Sequence, residues 1–462
     1  MRALAIVALL AWPLVASADT EPAHDEAEDD EAPVITDDDG DEPTPAELAD
    51  EVDDLAQRQK KLERAQRTND ETRRELNRMK YLMRFINVYV DVGAFAVAGD
   101  GSGIRSDVGH VYYPEYMGKV PGQWVFMGDP LSTAINSQGE PSDTSSSREI
   151  AVDTVNSEGH PSVIVNAVGL SIGKDLTHDI AVASLTQLMP RVTSNVLDVQ
   201  LAEILYRHPV GDGNLRVSAG KIDSVLGIEY RAQDAPVRLG VSPSLICRYT
   251  CGRPLGVRAQ LVEGAISVSA TMTNGNNFQA LFEHDSKLKA NAAPTASAHV
   301  QYLLPVGQGL EVGVSGALGP QDNQPHIDVT QWHIGFDAKL TDLHGFDAAA
   351  EYVQGEQEGQ TTGMAECDAA PCLTYKGAYL LVARRVQAWV TPYARIDWRD
   401  AVHTDGARFV YESHTVRGTV GAHFEMTSRI LAKVEYTWNH ELGNIPQFAN
   451  DIVTSSLVVA TD

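Results

Sequence analysis

The 462-residue chain lacks several features that point to familiar classes of protein. Beyond residue 18 it has no run of 18 or more apolar residues, which excludes a protein that crosses a membrane with helices. Basic residues are few, 36 against 63 acidic ones, and the resulting net charge of −27 disfavours nucleic-acid binding. No P-loop, dinucleotide fingerprint or strong metal-ligand spacing is present, so we expect neither a cofactor nor a bound metal.

The amino terminus predicts export. Residues 1–18 carry Arg2, an apolar run and a small-residue cleavage site, Ala16-Ser17-Ala18, which is the pattern of a signal peptide. Residues 19–45 are mostly Asp, Glu, Pro, Ala and Thr, and this composition predicts a disordered acidic segment. Contact of this segment with the cell wall is one hypothesis for its role.

Cysteine is scarce too, with four residues in two close pairs, Cys247 with Cys251 and Cys367 with Cys372. In an exported protein such pairs favour disulfides, and we expect a local bridge within each pair. A zinc site built from all four sulfur atoms is the alternative.

Residues 85–462 alternate apolar and polar side chains over segments of about ten residues. In one of them Trp332, Ile334 and Phe336 share one face, while His333 and Asp337 share the other. A soluble sandwich also alternates, but this length suits a tilted strand that crosses a bilayer, and aromatic residues near the strand ends suit its interfaces. We therefore predict an all-β fold, an antiparallel transmembrane β-barrel of about 16 strands. The predicted strands are 86–97, 163–174, 179–190, 195–208, 213–221, 255–263, 265–274, 297–304, 309–318, 329–340, 344–354, 375–384, 387–398, 414–424, 428–439 and 451–460.

Loop lengths agree with this topology. Connections after even-numbered strands are short, whereas those after odd-numbered strands include Ile222 to Pro254 and Gly355 to Thr374. Outer-membrane barrels have short periplasmic turns and long outer loops, so all four cysteines are predicted in outer loops. The segment Ala98 to Ser162 is too long for a simple loop. We expect it to form the constriction, with two additional strands as the alternative.

Residues 46–84 repeat with a period of seven, which predicts a coiled-coil helix in the periplasm. Its second core position is mostly polar, and polar core residues fix register and partner number. We expect this helix to join barrel protomers, with a single amphipathic helix on the periplasmic mouth as the alternative. The repeating positions are Leu48, Leu55, Leu62, Asn69, Leu76 and Met83.

If the apolar faces meet lipid, the charged residues on the opposite faces line the lumen. Their signs are mixed, which would set a transverse field favouring small polar solutes. The alternative is that these residues pair with one another and only stabilise the interior. The pore-lining candidates are Arg216, Arg258, His333, Asp337, Lys339, Asp347, Glu351, Arg395, Asp397, Arg417, Lys433 and Glu435.

A Gly-x-Ser-x-Gly pattern at Gly169 to Gly173 raises the question of a serine hydrolase. A nucleophile elbow needs a strand, a sharp turn and a helix, but Ser171 lies within continuous strand-like alternation. We therefore predict no enzyme. A barrel phospholipase or protease, with His178, Asp179 or His414 taking part, is a minor alternative.

The stretches Gly220 to Arg231, Ser242 to Leu245 and Gly252 to Val257 resemble a recurring part of the β-barrel porins of Gram-negative outer membranes. The plan of signal, heptad helix and barrel is similar to that of the phosphate-selective porins. This resemblance implies a homotrimer of sixteen-stranded channels surrounded by outer-membrane lipid. Such barrels usually end in an aromatic residue that the barrel assembly machinery recognises, whereas this chain ends in Asp462.

These observations favour an outer-membrane porin that passes ions and small polar solutes by passive diffusion. A plugged barrel that acts as a tether or adhesin is the main alternative, and a barrel enzyme is the third.

Overall fold

The computed structural model describes ten segments of the chain: residues 86–97, 104–106, 124–127, 162–190, 195–274, 294–320, 330–357, 373–405, 409–443 and 451–461. The predicted signal peptide, acidic segment and coiled-coil helix lie outside these residues, as do Cys367 and Cys372. Within the described segments, no helix is long and apolar enough to cross a bilayer.

Sixteen long strands form a closed antiparallel barrel, in which each strand pairs with the next and the first also pairs with the last. Two short strands, β2 and β3, pair with each other, and β3 also runs parallel to β16. The strands are β1 (Asn87–Val97), β2 (Ile104–Ser106), β3 (Trp124–Met127), β4 (Ser162–Asp175), β5 (Ile180–Pro190), β6 (Asn195–Val210), β7 (Gly213–Lys221), β8 (Leu255–Glu263), β9 (Ile266–Thr273), β10 (Thr295–Leu304), β11 (Gly309–Pro320), β12 (Thr330–Leu343), β13 (Phe346–Gln357), β14 (Leu373–Arg384), β15 (Val390–Asp405), β16 (Phe409–Thr427), β17 (Ile430–Glu441) and β18 (Ile452–Ala460).

The predicted fold class is confirmed, and each of the sixteen predicted strands is present. The largest difference is at β15, which continues to Asp405 rather than ending at residue 398. Its extension pairs with an equally extended β16, down to the pair Asp405 and Phe409. A hairpin can extend past its apolar region because the backbone hydrogen bonds between its strands do not depend on side-chain polarity.

The barrel is apolar outside and polar inside. On β12, Trp332, Ile334 and Phe336 are 37%, 39% and 52% exposed, whereas the intervening His333 and Asp337 are buried. A soluble protein would hide the large apolar side chains and expose the polar ones. This inverted arrangement, in a sheet without free edges, is that of a barrel whose outer surface faces lipid.

Interior tyrosines lie across glycines of the adjacent strand. Tyr375 is paired with Gly355, and Tyr393 with Gly421. A Cβ atom added to Gly421 would stand 2.4 Å from the hydroxyl oxygen of Tyr393. Because Gly421 has no side chain, the Tyr393 ring can lie across β16, and its hydroxyl reaches Glu435 of β17.

Candidate functional site

The connection from β7 to β8, residues Ile222 to Pro254, folds into the barrel, and we call it the inner loop. Its two ends are joined by backbone hydrogen bonds, from Ile222 N to Pro254 O (3.0 Å) and from Ser224 N to Gly252 O (2.9 Å). It contains two single helical turns, a 3-10 turn at Glu229–Ala232 and α1 at Cys247–Thr250.

Two predictions concern this region. The inner loop was predicted to be an outer loop; in the structure it folds back into the barrel, where its backbone N–H groups bind the inner faces of the wall. The constriction was predicted at Ala98–Ser162, of which the structure describes only β2, β3 and Ser162, so this assignment stays a prediction. In the described residues, the segment that enters the lumen is the inner loop.

A carboxylate on β13 holds the first part of the inner loop. Glu351 is 2% exposed, and its Oε1 atom accepts hydrogen bonds from the backbone N–H groups of Ile228 (3.1 Å) and Glu229 (2.7 Å). The hydroxyl of Tyr379 donates to the same oxygen at 2.9 Å. We call this arrangement the Glu351 clamp.

A second carboxylate, on β17, holds the later part. Glu435 is 1% exposed and accepts from Val241 N (2.8 Å), Ser242 N (2.9 Å), the Ser242 hydroxyl (2.8 Å) and the Tyr393 hydroxyl (2.6 Å). A buried carboxylate needs such donors to replace water. This Glu435 clamp repeats the tyrosine–glutamate–backbone pattern of the first clamp on another part of the wall.

Between the clamps, β15 contributes an ion pair. Arg395 donates to Asp397 (2.8 Å) and to the backbone oxygens of Ser242 (2.8 Å) and Pro243 (2.7 Å). Asp397 in turn accepts from Leu245 N at 3.2 Å. The pair therefore binds both kinds of backbone group in residues 242–245: Arg395 binds carbonyl oxygens and Asp397 binds an N–H group.

Two further wall side chains bind backbone oxygens of the inner loop. Lys433 donates to Ala235 O (2.6 Å) and Gly240 O (3.3 Å), and a ring nitrogen of His423 bonds Leu239 O at 3.1 Å. Lysine and histidine can supply the donors that a buried carbonyl requires.

Apolar contacts show that the inner loop spans the lumen. Ala235 packs in a cluster with Tyr89 of β1 and Val458 of β18. The Tyr249 ring stacks on Tyr375 of β14, with centroids 4.0 Å apart. Across the barrel from β1 and β18, Arg231 of the inner loop donates to Glu311 of β11 at 3.0 Å. The inner loop therefore contacts the wall where β1 meets β18 and the wall opposite it.

Ionic groups within the inner loop fix its own shape. Arg253 donates to Asp223 (3.0 Å) and Asp234 (2.8 Å). Burial alone would lower the pKa of Arg253, but these two carboxylates raise it. Glu229 accepts from Ser244 N at 2.7 Å and from the Ser244 hydroxyl. Burial raises the pKa of the Glu229 carboxyl above its ordinary value, against these hydrogen bonds and the positive charge of Arg395.

Beside the inner loop lies a cavity of about 980 Å³, which we call the vestibule. Arg385 of the turn after β14 and Ser428 of the turn after β16 contribute to its lining, which places it towards the short-turn end of the barrel. Charged and titratable side chains of both signs line it. They include Lys339, Asp347, Arg385, His423 and Glu425 from the wall and Glu229, Arg238 and Arg395 around the inner loop.

All twelve predicted pore-lining residues lie on the faces of their strands that carry the buried side chains. The inner loop binds five of them: Glu351, Arg395, Asp397, Lys433 and Glu435. Lys339 and Asp347 reach the vestibule.

Three of the other five bond side chains elsewhere on the wall. His333 bonds the Tyr375 hydroxyl at 2.7 Å, Asp337 bonds His299 at 2.8 Å, and Arg417 donates to Asn439 at 3.0 Å. Arg216 and Arg258 are partly buried on β7 and β8.

Sequence reasoning missed the inner-loop partners and the tyrosines Tyr379 and Tyr393. One signal was available: the segment from Ile222 to Ile228 contains four large apolar residues, too many for a loop surrounded by water. In the structure all seven residues of that segment are buried.

Cys247 and Cys251 form a disulfide within the inner loop, with Cα atoms 5.0 Å apart. Ser171 is fully buried on β4, and its Oγ atom has no hydrogen-bond partner. His178 instead contacts Asp179 (2.7 Å) on an exposed turn. Among the described residues, therefore, no histidine is placed to take a proton from Ser171.

No protein-family model matches the sequence, and no curated protein is significantly similar to it. Among solved structures, the chain is similar to the outer membrane channel DcaP of Acinetobacter baumannii, with a TM-score of 0.48 and 9% identity over 81% of this chain and 96% of that one. It is also similar to OmpF of Salmonella typhi in complex with daunomycin, with a TM-score of 0.43 and 10% identity over 81% of this chain and 97% of that one. A third similar structure is an anion-selective porin from Comamonas acidovorans, with a TM-score of 0.43 and 9% identity over 81% of this chain and 97% of that one. These similarities are distant, and the architecture rests on the strand pairing itself.

Proposed function

We propose that this protein is an outer-membrane porin that passes ions and small polar solutes through a lumen narrowed by the inner loop. One observation carries the proposal: the closed, lipid-facing barrel encloses a charged vestibule of about 980 Å³ that ends at a loop fixed to the wall. A hydrated solute in this vestibule would meet charged and polar side chains from both the wall and the inner loop, which lowers the cost of entering the membrane region.

The wall charges are unevenly distributed around the lumen. The β11–β13 wall carries the acidic residues Glu311, Asp337, Asp347 and Glu351 against one lysine, Lys339. The β15–β17 wall holds three buried arginines, Arg395, Arg399 and Arg417, and Lys433 against the two carboxylates Asp397 and Glu435. This separation supports a transverse field across the lumen, which favours small polar solutes over apolar ones.

The proposal includes a location and partners. A predicted signal peptide and an apolar outer surface support residence in the outer membrane, in contact with its lipid. The predicted heptad helix supports a homotrimer. We also propose that the acidic segment contacts the cell wall and that the barrel assembly machinery inserts the protein. Chemical crosslinking in native membranes tests the oligomer: a trimeric band is expected, and monomers alone would contradict it.

A plugged barrel acting as a tether has one observation in its favour. The inward-facing Arg399 and Arg417 are 0% and 2% exposed, so neighbouring groups cover both side chains. A permanently plugged barrel would fold and insert but carry no current.

A barrel enzyme is less well supported, because the buried Ser171 hydroxyl lacks a proton acceptor. A serine nucleophile needs a base within hydrogen-bond reach.

Single-channel recording of the refolded protein in a planar bilayer separates these functions. Stepwise conductance, with a reversal potential in a salt gradient that reports the lumen charges, is the expected result. A correctly folded barrel that remains silent would refute the porin proposal and favour the tether.

A further inference from the structure

The disulfide of the inner loop lies beside a carboxylate. The two sulfur atoms of Cys247 and Cys251 and one carboxylate oxygen of Glu229 all lie within 4.8 Å of one another. Tyr230 packs against both cysteines, which are 1% exposed. In the described part of the chain, no other group of three His, Cys, Asp or Glu residues is as close.

These three side chains have the chemistry of a zinc-type ligand set that the disulfide blocks. Thiolates, not disulfide sulfurs, bind metals. Cys247 and Cys251 are four residues apart on one helical turn, so their sulfur atoms stay on one face when the S–S bond is broken. The hydrogen bonds from Ser244 already fix the direction of the Glu229 carboxylate, as outer groups do for metal ligands.

We propose that the reduced inner loop binds one thiophilic divalent cation, of the zinc type, through Cys247, Cys251 and Glu229. The reductant is a dithiol: it transfers two electrons and two protons to the S–S bond and becomes a disulfide itself. Two cysteine thiols form, and the metal displaces their two protons on binding. Two thiolates and a carboxylate make three of the four tetrahedral positions, and water takes the fourth.

The site is connected to the wall anchors. The backbone N–H of Cys247 donates to Ser244 O at 3.3 Å, and the neighbouring segment is held by Arg395 and Asp397. Exchange of the disulfide for a metal therefore acts on the part of the inner loop that is fixed to β15. An effect on conductance rests on the proposed function, whereas metal binding itself does not.

The test uses the full chain with Cys367→Ser and Cys372→Ser, so that the second cysteine pair cannot bind metal. The protein is refolded with and without a dithiol, freed of reductant and titrated with Co²⁺, whose thiolate complexes absorb by charge transfer. We expect one Co²⁺ per reduced chain, displaced by Zn²⁺, and none per oxidised chain. Cys247→Ser should abolish the absorption, and Glu229→Gln should weaken binding tenfold or more.

Any of three results would overturn the assignment: no thiolate absorption in the reduced folded barrel, unchanged binding in Cys247→Ser, or unchanged affinity in Glu229→Gln. Heat-dependent electrophoretic mobility establishes that each variant is folded. If the reduced chain does not refold, the folded oxidised protein is reduced and its thiols are counted. A protein that also yields no thiols in that state has no such site. If Zn²⁺ binds in detergent but leaves the bilayer current unchanged, the metal site is present and does not control conduction.

Discussion

The Glu435 clamp gives the most direct test of the inner loop as a constriction. The carboxylate of Glu435 accepts four hydrogen bonds, at 2.6 to 2.9 Å, and three of them come from Val241 and Ser242. Glu435→Ala removes the acceptor and leaves these buried donors unsatisfied.

The expected cost follows from the number of donors. Three of the four donors belong to the inner loop and are satisfied by water once the loop is released. At about 1 kcal/mol for each unsatisfied donor these three give ~3 kcal/mol, and water entering the space reduces this to ~2 kcal/mol at the lower end. At about 1.4 kcal/mol per factor of ten, local release of the segment around Val241 becomes roughly thirtyfold to somewhat over a hundredfold more frequent.

Two assays report this release. Tryptic cleavage at Arg238 of the inner loop should accelerate, and the single-channel current should become larger and noisier. Glu425→Ala is the matched control, because Glu425 also lies on a wall strand and faces the vestibule but its side chain is half exposed and binds no inner-loop group among the described hydrogen bonds. If Glu435→Ala and the control were cleaved equally slowly and conducted alike, the clamp would not hold the inner loop.

Three other substitutions test separate parts of the structure. Gly421→Ala places a Cβ atom against the Tyr393 hydroxyl and 2.6 Å from the backbone oxygen of Val434, and it should lower the free energy of unfolding in urea by ~1–3 kcal/mol; an unchanged midpoint would mean that both Tyr393 and the β17 backbone move freely. Ser171→Ala removes a buried hydroxyl without a partner, so we expect unchanged or slightly higher stability in the same assay, and a loss of more than ~1 kcal/mol would reveal a missed interaction. Lys339→Gln removes a positive charge from the vestibule lining and should move the reversal potential towards cation preference, whereas a shift towards anions would contradict the proposed conduction path.

The barrel was predictable from sequence because its signal is local and repeated. Each strand carries its own alternation, and an antiparallel neighbour usually follows within a few residues. The pairing of Trp332 to Phe336 with their neighbours therefore needed no long-range information. The predicted and observed strand ends differ most where extra pairs, such as Asp405 with Phe409, lie beyond the apolar part of the strand.

The inner loop was not predictable in the same way, because its contacts are remote and use backbone groups. Glu351 binds Ile228 across 123 residues of sequence, and Glu435 binds Val241 across 194. Sequence alternation showed that both glutamates face inward. It could not show that their partners would be main-chain N–H groups, because these occur at every residue except proline.

The two clamps also predict how the inner loop detaches. Glu351 and Glu435 have no described hydrogen-bond partner in common, so independent sites would give additive effects. However, both hold one continuous segment, and while one clamp is intact it keeps the other end at a high effective concentration near its site. Because glutamine keeps one acceptor oxygen, Glu351→Gln and Glu435→Gln should each accelerate tryptic cleavage less than Glu435→Ala does. The double variant should be cleaved faster than the product of the two single effects. A strictly multiplicative result would show that the two halves of the inner loop open independently, in which case the constriction is two separate gates rather than one.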